Sequence, residues 1–180
     1  MCIRDRNGTV TLPAIEVRRR AARIGYTVAV GKEVPDIRLV SVCFCNLPRR
    51  SPLFGNGTPP AAAADYRTGY YADIPLSAAA RYSGTAYLPE NLQGEVASIV
   101  SQQDKNRDNA PEHATYLLLR AVRGSKVLDY TVYLGENNTS NFDVRGNTSH
   151  TLDITILGDN EVDTRVHGYT LSVWDDLEED

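Results

Sequence analysis

Apolar and polar residues alternate along much of this chain at the spacing of β-strands. The clearest case is 151–156, where Leu152, Ile154 and Ile156 share one face and Thr and Asp residues lie between them. Successive side chains of a strand point to opposite faces, so this pattern predicts a strand with one buried face. Helical spacing is nearly absent. In 15–24 arginine occupies the would-be apolar face, and we interpret that segment as a loop or short turn leading into a strand.

The same alternation, or a continuous apolar run, predicts strands elsewhere in the chain. These further strands cover 24–30, 37–44, 70–76, 85–88, 113–122, 127–134, 142–144 and 169–174. The run 37–44 is almost wholly apolar, which is typical of a central strand covered on both faces. Gly124 and Ser125 separate two apolar runs and predict a two-residue hairpin, because glycine accepts the positive φ of such a turn. Residues 46–65, rich in Pro, Gly and Ala, are predicted to form a long loop.

Strands about every ten residues, separated by turn residues, predict an all-β fold built as an antiparallel sandwich. We divide the chain into a partial first sandwich at 7–84, which contains the loop 46–65, and a second sandwich at 85–165. Residues 166–180 are expected to begin a following segment that ends in an acidic tail. Residues 1–6 resemble translated adapter or junction sequence. We interpret them as a sequencing or assembly artefact and expect the natural chain to begin further upstream.

Charge and composition are those of an ordinary globular protein. The chain has 180 residues, of which 42% are hydrophobic and 23% charged, and its net charge is −4. Five of the last six residues are acidic, so without them the net charge becomes +1. The basic cluster formed by Arg18, Arg19, Arg20 and Arg23 is too small, and too poor in aromatic neighbours, to predict a nucleic-acid interface. No apolar run is long enough to predict a membrane-spanning helix.

The three cysteines are Cys2, Cys43 and Cys45. The last two are two residues apart in a predicted strand, so both side chains point to the same face. A disulfide at that spacing would be strained, and neither a histidine nor a second cysteine pair lies nearby in the sequence to complete a metal site. We therefore expect buried, unreactive thiols and no metal site.

No arrangement of residues predicts catalysis. The three histidines, His113, His150 and His167, are scattered along the chain, and we expect surface or edge positions for them. The sequence contains no glycine-rich phosphate loop between a strand and a helix and no nucleophile elbow. We predict a protein that is not an enzyme, with no catalytic residues and no cofactor.

Five short stretches carry a pattern beyond composition. They are 87–94 (YLPENLQG), 114–116 (ATY), 133–137 (YLGEN), 142–145 (FDVR) and 147–148 (NT), the last leading into the strand at 152–156. In order and spacing they resemble the second domain of the fimbrillin family of Bacteroidales, which includes fimbrial subunits and their anchor and tip relatives. The resemblance covers roughly 85–157, and 9–54 resemble more loosely the closing strands of that family's first domain.

This resemblance implies transthyretin-like, Greek-key sandwiches in an exported lipoprotein precursor at the outer membrane. It also implies a structural or adhesive subunit, or an anchor or tip component, of a fimbria-like surface appendage. Its partners would be other fimbrial subunits, joined by strand exchange after proteolysis behind a basic residue, and host or bacterial surface ligands. Arg18–Arg23 is then a candidate processing site. The alternative is that these arginines keep the exposed end of a strand soluble.

A second function remains open, a monomeric glycan-binding sandwich of an outer-membrane lipoprotein. Its candidate stacking residues are Phe54, Tyr66, Tyr70 and Tyr71, which lie in or near the predicted loop. The interpretation that we favour is that the tyrosines are core residues with satisfied hydroxyl groups.

Overall fold

A computed structural model describes residues 3–4, 10–11, 18–51, 58–159 and 164–173. These residues form twelve strands and two single 3₁₀ turns, Ala63–Asp65 and Leu76–Ala78. The strands are β1 (Ile3–Arg4), β2 (Val10–Thr11), β3 (Ala21–Val30), β4 (Ile37–Pro48), β5 (Tyr66–Asp73), β6 (Arg81–Pro89), β7 (Asn91–Glu95), β8 (Tyr116–Arg123), β9 (Lys126–Tyr133), β10 (Asn141–Val144), β11 (Thr148–Ile156) and β12 (Thr164–Val173). No helix in these ranges has the length and apolar character needed to cross a membrane.

Two four-stranded sheets pack face to face and enclose one apolar core. Their strand orders are β12-β11-β3-β6 and β5-β4-β8-β9, and two short ladders, β7-β10 and β1-β2, accompany them. Alternate residues of both large sheets point inward and join the same core cluster. The ring of Tyr26 in β3 meets the ring of Phe44 in β4 edge-on, with 5.6 Å between ring centroids, so the two sheets interlock. The predicted all-β sandwich is thus confirmed.

The pairing of β3 differs from the prediction in two ways. This strand runs parallel to β11, from Ser149↔Arg23 to Ile156↔Val30, so its sheet is mixed rather than purely antiparallel. Strands from both sides of residue 84 also share both large sheets, because β3 pairs with β11 and β4 pairs with β8. The described residues therefore form one sandwich where we expected two. Pairing between strands so far apart in the chain leaves no local signal in the sequence.

The central position of β4 is confirmed, since β5 and β8 flank it and both of its faces are buried. Val42 and Phe44 face the core opposite Leu119 and Leu117. Cys43 lies on the other face and is nevertheless buried. β4 extends to Pro48 and β5 begins at Tyr66, so the connection between them is shorter than the predicted loop 46–65.

The hairpin at Gly124 and Ser125 also agrees with the sequence. Val122 pairs with Val127 and Arg123 with Lys126, which leaves two residues in the turn. Gly124 has φ +60°, in the left-handed region that glycine occupies without steric cost. The local sequence therefore determines this turn, and the register of β8 and β9 follows from the turn.

Candidate assembly site at one end of the sandwich

The strand β3 fills a slot between β6 and β11. It pairs antiparallel with β6 from Ala21↔Pro89 to Ala29↔Arg81 and parallel with β11 on its other side. Its inward residues Ala22, Ile24, Tyr26 and Val28 are all buried. Burial, and to a smaller extent the nearby Tyr82, raises the pKa of Tyr26 to about 12. We call this arrangement the β3 slot: no hairpin joins β3 to either neighbour, so side-chain fit and backbone hydrogen bonds hold it in place.

Polar contacts fix the beginning of β3. Arg20 donates from Nη1 to Glu90 Oε1 at 2.9 Å, and the backbone N–H of Gly146 donates to the other oxygen of the same carboxylate at 2.9 Å. Arg19 donates to the side chain of Asn147 at 3.2 Å, and Asn147 donates its backbone N–H to the carbonyl of Ala21 at 2.9 Å. Glu90 therefore joins the chain ahead of β3 to the turn ahead of β11.

Glycine at position 146 is required by this close approach. A Cβ added there would lie 2.6 Å from the carbonyl oxygen of Arg19 and 3.2 Å from the Cα of Arg20. Backbone atoms cannot give way as the far end of a side chain can. The 145–147 turn thus lies directly against the chain that leads into β3.

Glu90→Ala is expected to destabilise the fold by about 2 kcal/mol, because Gly146 loses its acceptor and Arg20 its partner. Glu136→Ala is the matched control, since Glu136 pairs with Arg145 at 2.7 Å but is more exposed, at 30% against 8% for Glu90. We expect the control to cost about 0.5 kcal/mol. Denaturant unfolding of both variants measures the difference, and equal losses would contradict the role given to Glu90.

The neighbouring residue Asn91 performs the corresponding task for the second sheet. It is 1% exposed, and its Nδ2 donates to the carbonyl of His113 and to Thr115 Oγ1, both at 2.9 Å. Thr115 Oγ1 donates in turn to the carbonyl of Asn46 at 3.0 Å, at the end of β4. Because Glu90 contacts one sheet and Asn91 the other, two successive residues of the 87–94 stretch tie both sheets at this end.

A loop at 135–141 lies at the same end and is held by its own asparagines. Asn137 Oδ1 accepts the backbone N–H groups of Thr139 and Asn141, each at 3.0 Å. Asn141 Oδ1 accepts those of Glu136 and Asp143, each at 2.8 Å. Short asparagine side chains that bond nearby backbone in this way stabilise turns. The loop therefore has a defined shape although it contains little regular structure.

The amine of Lys105 closes this loop from inside the protein. Lys105 is 7% exposed, and its Nζ donates to the carbonyl oxygens of Asn137 and Asn141 at 2.6 Å each. It also lies 4.9 Å from the centroid of the Phe142 ring. Burial lowers the pKa of Lys105 to about 7. Lysine side chains are rarely buried, so the burial of Lys105 is a finding of the structure alone.

His150 is fully buried beside this cluster, so the expectation of a surface or edge position is wrong for it. Its Nε2 lies 3.0 Å from Thr148 Oγ1. Burial lowers the pKa of His150 to about 4, a hydrogen bond to the backbone of Gly135 acts in the opposite direction, and the charge of Lys105 lowers it further. The side chain is therefore a neutral core residue at neutral pH.

The other histidines have different positions. His113 is partly buried, stacks on Tyr66 with 4.6 Å between ring centroids, and has Nε2 3.2 Å from the carbonyl oxygen of Ala61. The side chain of His167 lies outside the described residues. Within the described ranges, no group of three or more His, Cys, Asp or Glu residues is placed to hold a metal ion.

The tyrosines proposed for glycan stacking do not form one exposed surface. Tyr66 is buried, and its hydroxyl donates to the carbonyl of Pro60 at 2.7 Å, as expected of a satisfied core tyrosine. Tyr70 and Tyr71 are exposed on β5, at 46% and 62%. Tyr71 donates its hydroxyl to Asp73 at 2.6 Å. Phe54 lies outside the described residues.

Of the arginines considered for processing, Arg18 and Arg19 are exposed, whereas Arg20 is partly buried against Glu90. Arg23 is on the outer face of β3, with Nη1 3.5 Å from Ser149 Oγ. The cluster therefore lies at the boundary where the chain enters the β3 slot.

Residues 86–154 match the profile of a family described as "Domain of unknown function (DUF4906)". This range includes all five of the stretches that carry the resemblance. No curated protein matches the chain.

Solved structures with a similar fold include a tip fimbrial protein and putative cell adhesion proteins. The tip fimbrial protein Mfa3 from Porphyromonas gingivalis is 18% identical with a TM-score of 0.51, over 87% of this chain and 52% of that one. A putative cell adhesion protein from Parabacteroides distasonis is 16% identical with a TM-score of 0.55, over 91% of this chain and 54% of that one. A putative cell adhesion protein from Bacteroides eggerthii is 12% identical with a TM-score of 0.53, over 87% and 56%.

The chain thus spans about half the length of the solved structures that it matches. The resemblance to Bacteroidales fimbrial and adhesion proteins predicted from the sequence is confirmed as structural similarity. At such identities the similarity concerns the fold, and a shared fold does not by itself establish a shared function.

Proposed function

We propose that this chain is a structural or adhesive module of a fimbria-like surface appendage and that it assembles by strand complementation at the β3 slot. The location that follows is the cell surface, with other subunits of the appendage as partners. The similarity in fold to a fimbrial tip protein and to putative cell adhesion proteins supports the proposal. The single observation that carries the assembly step is the placement of β3 between two strands distant in sequence.

The physical argument concerns what holds β3 in place. Its neighbours β6 and β11 are separated from it in the chain, so no turn fixes its register. Register comes from alternate apolar side chains that enter the core and from the backbone ladders on both sides. A strand with the same pattern from a second copy would satisfy the same groups, which is the physical basis of strand addition and domain swapping. The polar contacts of Arg19 and Arg20 would then guide the incoming chain.

Cysteine cross-linking tests exchange at the slot. Thr27 and Asp153 are partners across β3 and β11 and lie on the outer face of the sheet. In a background with alanine at the three natural cysteine positions, the Thr27→Cys and Asp153→Cys proteins are mixed, unfolded, refolded together and oxidised. We expect a disulfide-linked heterodimer on a non-reducing gel, because β3 of one copy enters the slot of another. With one cysteine per chain, the dimer is the largest covalent product.

Val122→Cys and Val127→Cys provide the matched control. These two residues are partners across the β8–β9 hairpin, whose two-residue turn prevents exchange between copies. A mixture of the two should give no heterodimer. A molecule that carries both Thr27→Cys and Asp153→Cys should, once oxidised, be locked as a monomer and regain assembly on reduction. If the slot pair gives no more heterodimer than the hairpin pair, assembly through this slot is excluded.

Glycan binding is the alternative, and it would depend on Tyr70 and Tyr71, which are exposed on β5. Two adjacent aromatic rings supply a stacking surface, although adjacent residues of a strand normally point apart. Tyr70 has φ +52°, and this departs from regular strand geometry. Loss of glycan-array binding in Tyr71→Ala, with cross-linking at the slot absent, would favour this alternative.

A further inference from the structure

Cys43 and Cys45 bring two sulfur atoms together on the outer face of the second sheet. Their strand partners are Leu118 and Tyr116, whereas the intervening Phe44 pairs with Leu117 in the core. The two Sγ atoms are 3.9 Å apart, and the residues are 9% and 6% exposed. The thiols therefore lie just below the outer surface of the sheet and not between the two sheets.

Polar groups of neighbouring strands surround this thiol pair. Thr68 Oγ1 in β5 donates to Cys45 Sγ at 3.9 Å, and the Tyr116 hydroxyl in β8 makes a side-chain hydrogen bond with Cys45. Burial, and next the neighbouring Cys45, raise the pKa of Cys43 to about 11. Arg120 acts in the opposite direction, and its ion-pair partner Asp129, at 2.8 Å, counteracts it. The sulfurs thus have hydroxyl groups and the Arg120–Asp129 ion pair nearby, which is unlike a thiol packed only against aliphatic carbon.

The sulfur separation fits a bridging ion better than a disulfide bond. With metal–sulfur bonds of about 2.3 Å, two sulfurs at this distance subtend roughly 115° at an ion between them. A disulfide needs the sulfurs to approach to about 2.05 Å. β5 and β8 hold β4 on both sides, so such an approach would distort the central strand of the sheet.

We propose that Cys43 and Cys45 form a two-thiolate site for a soft, low-coordinate cation, the chemistry of Cu(I). Thiolate ligands select soft ions, whereas zinc requires four ligands that the described residues do not supply together. Binding breaks two S–H bonds, forms two Cu–S bonds, releases two protons and leaves copper in its Cu(I) state. The bound unit carries one negative charge. This inference is independent of strand assembly.

Competition for Cu(I) against a colorimetric chelator such as bathocuproine disulfonate tests the site. The Cys2→Ser protein, fully reduced and kept without oxygen, should take up one equivalent of Cu(I) and gain a thiolate-to-copper charge-transfer band in the ultraviolet. Affinity should rise about a hundredfold per pH unit near neutral pH, because two protons leave on binding. Without copper, the thermal unfolding midpoint of the Thr68→Ala control should equal that of the Cys2→Ser protein.

Single substitutions separate the pair from adventitious binding. Cys43→Ser and Cys45→Ser should each lose at least about a hundredfold in Cu(I) affinity, since one thiolate cannot replace two. Thr68→Ala keeps both sulfurs and should retain the one-equivalent stoichiometry. Copper uptake that is the same in the two cysteine variants would overturn the proposal. The proposal would also be overturned if the isolated protein contains a Cys43–Cys45 disulfide, seen as a mass lower by two hydrogens, and takes up no Cu(I) after reduction.

Discussion

Replacing Gly135 with alanine is expected to destabilise the fold by at least about 3 kcal/mol, or to prevent folding. A Cβ at this position would overlap the carbonyl oxygen of Asn141 and would lie 2.6 Å from its carbonyl carbon and 2.8 Å from Lys105 Nζ. The overlap is with backbone, so relief requires the 135–141 loop to move. That movement would also displace one of the two acceptors of the buried amine.

Gly25→Ala is the matched control for this substitution. Gly25 is in β3, and the nearest atom to an added Cβ is the carbonyl oxygen of His150 at 3.7 Å, an ordinary van der Waals distance. We expect a change of about 0.5 kcal/mol or less, because alanine lowers the entropy of the unfolded chain and meets no obstacle. Denaturant unfolding of the two variants gives the comparison. Similar losses in both would show that the loop adapts and that its close packing is not required.

The parts of this fold that the sequence predicts are those set by neighbouring residues. The alternation at 151–156 reappears in β11, with Leu152, Ile154 and Ile156 buried and Thr151 and Asp153 exposed. The Gly124 turn and the hairpin around it are likewise local. β7 was not predicted, because Asn91–Glu95 contains only one large apolar residue and its burial depends on polar contacts.

The same alternation contained a signal for one residue that was misplaced. Counting back by two from Leu152 assigns His150 to the inward face of β11, where the structure has it. The usual preference of histidine for the surface was given more weight than strand periodicity. For Cys43 and Cys45 the periodicity was used, and both are on one face as predicted.

The sequence alone does not predict which distant strands pair with each other. The parallel register of β3 with β11 joins residues more than a hundred positions apart, and the division at residue 84 failed for that reason. The candidate assembly site also depends on such pairs, among them Arg20 with Glu90. The 87–94 stretch contains Glu90 and Asn91, but the contacts by which these two residues connect the two sheets are visible only in the fold.

Lys105→Met should destabilise the protein by an amount that increases with pH. Lys105 is the buried donor to Asn137 and Asn141, and methionine would leave both carbonyl oxygens without it. A neutral amine still has two N–H groups, one for each carbonyl, so the loop remains held after deprotonation. At about pH 9 we expect a loss of about 3 kcal/mol, from two buried acceptors left unsatisfied.

The pH dependence follows from where the proton is bound. Burial lowers the pKa of Lys105 from 10.5 to about 7, so between these pH values the unfolded chain binds more protons at this site than the folded chain. Stability due to Lys105 therefore rises with pH across that window, by up to about 1.4 kcal/mol per pH unit. Below about pH 7 the folded state retains a buried ammonium group, whose desolvation offsets most of what the two hydrogen bonds contribute.

Urea unfolding of the two proteins at pH 6, 7.5 and 9 measures this change directly. The acid-sensitive His150, with a pKa lowered to about 4, is present in both proteins, and its contribution largely cancels in the difference. Lys126→Met is the control, because Lys126 is 60% exposed and its contact with Asp159 at 2.9 Å is a surface ion pair. That variant should change stability by about 0.5 kcal/mol or less. A wild-type advantage over Lys105→Met that stays constant or shrinks between pH 6 and 9 would show that the amine remains charged in the fold, held as an ammonium by its two carbonyl acceptors.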